Sequence, residues 1–376
     1  MNRRRLASLL AAVVAVGMIV AAYLGGQSSG LRVRPNPRHP GRYYTRFETM
    51  GTTAHLEVVA DGAGEARKML VPAAEAVRQV DRLMSTYRKG SEISRLNRNG
   101  AETSVKLHPR VMGVLQRALE LCRRTDGAFD MTSGPLRKLW RDAQKNDTLP
   151  GEKELQGALA HVGCDKLLLG EGEARLRSDN VRVDLGGIAK GYAIARAAQE
   201  IAAHGGEGAL VDIGGDMTLL GRRADGQRWK IRVRIPPRID LDEHIYLEVE
   251  DRAIATSGDY ARPYRVDGER YSHIIDPRTG QPVKNLPSST VVASNATMAD
   301  GLATALSVLG PEEGLQVIED VEGAECLIIV EEADGVRIVS SEGFSEYRYH
   351  PARTEGSEPS EDGEDSKNSK DGKGTG

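Results

Sequence analysis

Cysteine, aromatic residues and net charge are all scarce in this chain, and each scarcity removes a class of function. The three cysteines, Cys122, Cys164 and Cys326, are scattered without a CxxC pair or a His-rich neighbourhood. Such spacing matches neither a disulfide framework nor a zinc site, so all three are expected to be buried, inert thiols. A formal charge of -3 over 376 residues gives no electrostatic footprint for nucleic acid. Only three residues are Phe, so a Phe that falls in a turn instead of an apolar run stands out. Between the two ends of the chain there is no obvious internal repeat.

Glycine, by contrast, is abundant at 42 residues, which suits tight turns and close approach of backbone to a ligand. The ends differ from the middle. Arg3, Arg4 and Arg5 precede an apolar run from Leu6 to Leu24, about long enough to span a bilayer with its positive flank in the cytoplasm. Residues 1–25 are therefore expected to be an uncleaved signal anchor. The alternative is a signal peptide cut near Ala21 or Ala22. No Cys follows the run, which excludes a lipid-anchored cysteine. Either reading puts the rest of the chain outside the cytoplasm, on the periplasmic face of a bacterial inner membrane or exported as a soluble form. Residues 26–42 read as a Gly/Pro/Ser/Arg linker. From Pro351 to the end apolar residues almost vanish, and 351–376 reads as a disordered tail.

Residues 43–350 alternate helical and strand patterns. Strands are expected at Thr53–Ala60, Val181–Leu185, Ala209–Ile213, Trp229–Ile235, Ile245–Val249, Ser289–Ala293 and Cys326–Val330. Helices are expected at Glu65–Met84 (despite Pro72), Pro109–Arg124, Ile188–His204 and Thr297–Leu309. Strands that follow one another outnumber strand–helix–strand alternations, which favours an α+β domain over a doubly wound sheet.

Four segments carry chemistry. In Arg182–Ala195 a strand ending in Asp184 leads through Gly186-Gly187 into a helix with Lys190 in its first turn. Glycines and a helix N-terminus suit a phosphate, although Asp184 serves equally well as a simple cap. In Tyr271–Pro282, His273 stands near Asp276 and Arg278 on a loop stiffened by Pro277. His is the side chain best suited to take a proton near neutral pH, and a structural His is the plain alternative. In Thr297–Leu306, Asp300 and Thr304 share one helix face and suit a hard cation such as Mg²⁺, unless the Thr bonds back to its own helix. The early segments Glu48–Thr52, Met84–Asn97 and Thr125–Leu136 offer Met50, Tyr87 and Phe129, side chains of the kind that pack on a planar ring, although core packing would explain each separately.

Taken in this order, the segments resemble the ApbE family of FAD:protein FMN transferases, over roughly Phe47 to Leu309. The resemblance rests on Met-Gly-Thr, Ser-x-Tyr, Gly-Ala-Phe-Asp, Asp-Leu-Gly-Gly-Ile-Ala-Lys-Gly, Ala-Thr-Ser-Gly-Asp-Tyr (Ala255 to Tyr260), Ser-His-x-x-Asp-Pro-x-Thr-Gly and Ala-Asp-x-x-Ala-Thr-Ala. It implies a T-fold-related α+β domain, FAD as FMN donor, Mg²⁺ as cofactor and export. Carried over, it implies that Met50, Tyr87, Ala128, Phe129 and Asp130 line the flavin site. Asp184, Lys190 and Ile275 would contact the rest of FAD, and Gly187 (through its carbonyl), Asp300 and Thr304 would hold Mg²⁺. His273 would be the base, with Asp276 orienting it. Tyr87 leans towards transfer, because some relatives with a smaller polar residue there behave as FAD hydrolases. The implied acceptor is a Thr or Ser hydroxyl in a sequence resembling Asp-x-x-Thr/Ser-Gly/Ser-Ala-Thr/Ser. Since the chain contains no good copy of it, a separate protein, such as a membrane redox protein, is expected as partner. The rival readings are FAD hydrolysis to FMN and AMP, and a flavin-binding module without chemistry.

Overall fold

A computed structural model describes residues 30–349, apart from 238, 240, 242–243 and 260–262. The expected anchor and tail lie outside the described residues. No helix among the described residues is long and apolar enough to cross a membrane.

A nine-stranded antiparallel sheet forms the frame. Its strands are β1 (Arg34–Pro35), β2 (Arg42–Thr49), β3 (Thr52–Val59), β4 (Ala209–Ile213), β5 (Asp216–Leu220), β6 (Arg252–Gly258), β7 (Ser288–Ala293), β8 (Ala324–Glu332) and β9 (Gly335–Ser340). They lie side by side in chain order, so the sheet is one long meander in which every neighbour runs the other way. This matches the α+β expectation. The linker assigned to 26–42 is partly folded, because Arg34 and Pro35 pair with Tyr44 and Tyr43 and Leu31 is buried.

Both faces of the central strands are covered, which explains their unbroken apolar runs. Along β6, β7 and β8, residues Ala253, Ala255, Val291, Ala293, Cys326 and Ile328 belong to the core on the helical side. The alternate residues Ile254, Val292, Leu327 and Ile329 pack on the opposite face against Trp229, Leu247, Val249 and Phe344. A period of two with both sets apolar is what a strand buried on both sides requires. The second face is roofed by a small antiparallel sheet of Trp229–Arg232, Tyr246–Val249 and Arg348–Tyr349.

The helical side carries α1 (Ala63–Met84), α2 (Glu92–Asn99), α3 (Pro109–Arg124), α4 (Gly134–Asn146), α5 (Glu152–Leu159), α6 (Ala189–Ala203) and α7 (Ala296–Glu319). In α1 the apolar stripe read from the sequence, Ala66, Met69, Ala73, Ala76, Val77, Val80 and Leu83, is buried except for the half-buried Leu83, and Pro72 sits inside the helix. Helix α7 passes the expected end at Leu309 through a kink, where Gly310 takes φ +76 and Pro311 restarts the helix. The expected strand Val181–Leu185 does not form. It is an extended segment with a single parallel bridge, Ser133 to Arg182. Its partners come from a helix and a turn: the α2 residue Asn97 bonds Val183 on both backbone groups, and Asp184 N–H donates to the Met131 carbonyl at 2.7 Å.

Candidate functional site

Three turns converge at one end of the sheet because the meander is antiparallel. Met50-Gly51 joins β2 to β3, Gly214-Gly215 joins β4 to β5, and residues 259–287 join β6 to β7. The first two turns touch: a Cβ on Gly214 would lie 2.9 Å from Thr52 Oγ1. Met50 is half-buried in the left-handed region at φ +50, and it packs on the main core.

Helices α6 and α7 bring the next residues to the same end. They cross at Gly191, where an added Cβ would come within 2.1 Å of the Ala296 carbonyl and 2.7 Å of Asp300 Cβ. That approach lets Gly191 N–H donate to Asp300 Oδ2 at 2.8 Å. Asp300 is only 4% exposed, and a buried carboxylate needs such donors and a counter-charge. The charge comes from Lys190, whose Nζ lies 3.6 Å from Asp300 Oδ1 and also bonds the Asp216 carboxylate. Asp216 is itself buried, and its Oδ1 accepts the Thr256 N–H at 3.0 Å. Lys190, expected to meet a phosphate, is thus held between two carboxylates.

One helical turn past Asp300, Thr304 Oγ1 donates to the Gly187 carbonyl at 3.4 Å. Gly187 is closely packed, since a Cβ would lie 3.1 Å from Thr304 and 3.2 Å from Phe129 Cε2. A carbonyl, a hydroxyl and a buried carboxylate on adjacent turns are the donors a hard divalent cation takes. The residues named for a metal therefore fit one.

Asp184 sits half-buried on the approach to this pair. Its Oδ1 accepts Gly186 N–H at 2.7 Å and meets Arg137 Nη1 at 3.1 Å. Tyr87 is 81% exposed, an unusual state for a large aromatic ring. It shares this neighbourhood, because the Tyr264 hydroxyl, raised chiefly by burial, also senses Arg137, Arg141, Tyr87 and Asp184.

The Gly-Ala-Phe-Asp turn is built inward. Ala128, Phe129 and Asp130 are all buried, and Phe129 N–H donates to Thr125 Oγ1. Burial pushes the Asp130 carboxyl above its usual range, against two bonds from Thr132 that pull it down. Next to it the structure corrects a sequence expectation: Cys122 and Cys164 form a disulfide, with Cα atoms 6.0 Å apart. The sulfurs and the Asp130 carboxylate lie within 4.8 Å of one another. The pairing was invisible in sequence because α3 and the Gly163 turn meet only in the fold. Cys326 remains a buried thiol, pushed up to about 11 mainly by burial.

His273 is half-buried on the loop between the hairpin Tyr264–Val266/Glu269–Tyr271 and β7. Ile275 is buried, bridges to Pro282 and packs with Leu136, Trp140, Leu155 and Tyr264. Asp276 closes the turn that follows it. Its carboxylate accepts the Arg278 backbone N–H at 2.8 Å and the guanidinium at 3.1 Å, and its carbonyl accepts Gly280 N–H at 2.7 Å. Those bonds make Asp276 the clasp of the turn. Reasoning from sequence gave no role to Asp216, Thr256, Asn97 or Arg137, although Thr256 lies in the Ala255 to Tyr260 motif and Asn97 ends the Met84–Asn97 segment. Asp216 also left a signal, a second glycine pair just before a carboxylate.

The model of the ApbE family matches residues 50–328, and the chain belongs to that family. It is 35% identical to an FAD:protein FMN transferase of Vibrio cholerae, over 80% of this chain and 90% of that protein. A Haemophilus influenzae FAD:protein FMN transferase is 33% identical, with 75% and 85% covered. Among solved structures, the flavin transferase ApbE from Vibrio cholerae superposes with a TM-score of 0.73 at 34% identity, covering 81% of this chain and 99% of that one. The apo flavinyl transferase ApbE of Pseudomonas stutzeri gives 0.72 at 31% identity, with 84% and 97% covered.

Proposed function

We propose that this protein moves FMN from FAD to a Thr or Ser hydroxyl of an acceptor protein, releases AMP, and depends on Mg²⁺. The observation that carries the reading is the Gly187–Asp300–Thr304 oxygen set beside Lys190, at the end of the sheet where Met50 and Phe129 also lie. Transfer of this kind needs an aligned nucleophile and neutralised phosphate oxygens more than covalent help from the protein. Mg²⁺ bound to those oxygens would supply charge at the pyrophosphate.

The chain's own residues do the rest. Met50, Phe129 and the exposed Tyr87 offer apolar and aromatic surface for the flavin ring. His273 takes the proton of the acceptor hydroxyl as its oxygen bonds to the FMN-side phosphorus. The bond from that phosphorus to the AMP-side oxygen breaks, and AMP leaves. Lys190 contributes positive charge near the phosphates once the flavin dinucleotide arrives. Asp184 and Ile275 contact the remainder of FAD.

We also infer that the domain works outside the cytoplasm, tethered or exported through the apolar run Leu6–Leu24. The Cys122–Cys164 disulfide supports this, since such bonds persist in oxidising compartments. The test mixes the protein with FAD, MgCl₂ and a peptide carrying the acceptor sequence, and reads the peptide mass. An FMN adduct with stoichiometric AMP is expected. Release of FMN and AMP with an unmodified peptide would establish the hydrolase instead. Tight FAD binding with neither product would leave a binding module.

A further inference from the structure

We infer that Asp216 is a positioning residue that sets how strongly the Gly187–Asp300–Thr304 oxygens bind a divalent cation, by holding the Lys190 ammonium off Asp300. The inference rests on the metal reading proposed above. Asp216 begins β5 immediately after Gly214 and Gly215, whose φ values of +69 and +100 turn the chain there. It is 3% exposed, and both of its oxygens are used: Oδ1 by Thr256 N–H at 3.0 Å and Oδ2 by Lys190. Its mount is rigid, because Thr256 lies on the neighbouring strand β6 and its hydroxyl bonds that of Thr290 on β7 at 3.0 Å.

Lys190 is shared unequally. It is hydrogen-bonded to Asp216 but stands 3.6 Å from Asp300, whose other oxygen is occupied by Gly191 N–H. The remaining nearby carboxylate, Asp212, senses Lys190 and accepts Gly215 N–H at 2.8 Å. Two buried carboxylates and one ammonium leave a net negative charge where Asp300 would meet a cation. Without the Asp216 charge, Lys190 keeps Asp300 as its nearest partner, the negative charge there falls by one, and the ammonium competes with the metal. Residues one step behind metal ligands typically change affinity by about 10–100-fold when altered.

The test titrates the full protein with MgCl₂ alone, without flavin, by calorimetry and by the cation-induced rise in Tm. Asp216→Asn should raise the half-saturating Mg²⁺ concentration by about 10–100-fold, and Asp216→Glu should restore most of the affinity. Lys190→Met should bind Mg²⁺ at least as tightly as the natural chain. Adding Asp216→Asn to Lys190→Met should then weaken binding far less than it does alone. An Asp216→Asn protein with wild-type Mg²⁺ affinity overturns the assignment. Equal weakening in both backgrounds also overturns it, because the carboxylate would then act directly and not through Lys190. Should Asp216→Asn fail to fold, Lys190→Met still decides: weaker Mg²⁺ binding in that variant overturns the idea. A natural chain that shows no Mg²⁺ response removes the metal reading itself, an outcome distinct from an unaffected Asp216→Asn.

Discussion

The two halves of the candidate site are built on opposite plans. Around Asp300, the polar contacts come from helices and strands, with one turn carbonyl, that of Gly187. Gly191 and Lys190 lie in the first turn of α6, Thr304 on α7, and Asp216 and Thr256 on β5 and β6. His273 itself lies on a loop, between a hairpin and β7. The loop is pinned by the Ile275–Pro282 bridge, the Asp276–Arg278 clasp and the bond of Trp140 Nε1–H to the Gly280 carbonyl at 2.9 Å. A cation site has to hold its donors within tenths of an ångström. A base that serves an incoming protein has to let that protein in. Regular elements suit the first demand, and a clasped loop suits the second.

The largest expected effect tests the loop half. General-base assistance is worth about 10²–10⁴-fold, so His273→Ala should slow single-turnover FMN transfer by that factor. FAD affinity and Tm should change little. Unchanged transfer would make His273 structural. The second prediction concerns the brace beneath Asp130. The disulfide closes 42 residues, and loss of such a crosslink costs about 2–4 kcal/mol. Cys122→Ser/Cys164→Ser should unfold at correspondingly lower denaturant, and reducing agent should match it only in the natural chain. If reductant lowers the midpoint of both proteins alike, the pairing is wrong.

The third prediction presses on the rigid half. Gly191→Ala drives a methyl into the Ala296 carbonyl of α7, and overpacking costs about 1–3 kcal/mol. The variant should lose stability and, because the helices separate at Asp300, Mg²⁺ dependence should shift to higher concentration. A change of the same size at the exposed Gly157 of α5, which meets nothing within 4 Å, should leave that dependence alone. Fourth, Asp276→Asn should slow transfer by only a few-fold, far less than His273→Ala, because Arg278 shares the Asp276 carboxylate and the turn keeps its backbone bonds. A deficit equal to that of His273→Ala would return Asp276 to the orienting role.

The smallest effect is electrostatic. The Asp130 carboxyl is raised in the folded chain, with burial the leading cause. It therefore binds its proton more tightly folded than unfolded. Its contribution favours the folded state at low pH and is lost as pH rises from the ordinary Asp value, about 3.9, through the raised one. Asp130→Asn removes that loss, so the mutant's Tm should improve relative to the natural chain as pH climbs over this window. A constant difference in Tm would show that Asp130 titrates alike in both states.

Much of this protein was determined by local pattern. The stripe of α1, the limits of α3, the strand Ala209–Ile213 and the pairing of Asp300 with Thr304 on one face all follow from spacing along the chain. So does the ApbE character of the motifs, because residues that meet a common ligand keep their types and order. What spacing cannot encode is which distant segments touch. Cys122 and Cys164 are unremarkable in sequence and bonded in space. Val181–Leu185 has a strand's composition, yet a helix side chain and a turn carbonyl, not a sheet edge, bond its backbone. Lys190 reads as a phosphate ligand beside a glycine pair, but Asp216 and Asp300, 26 and more residues away, claim it in the folded chain. Burial is the physical reason: a carboxylate removed from water must take a partner, and only the tertiary structure decides which charge is within reach.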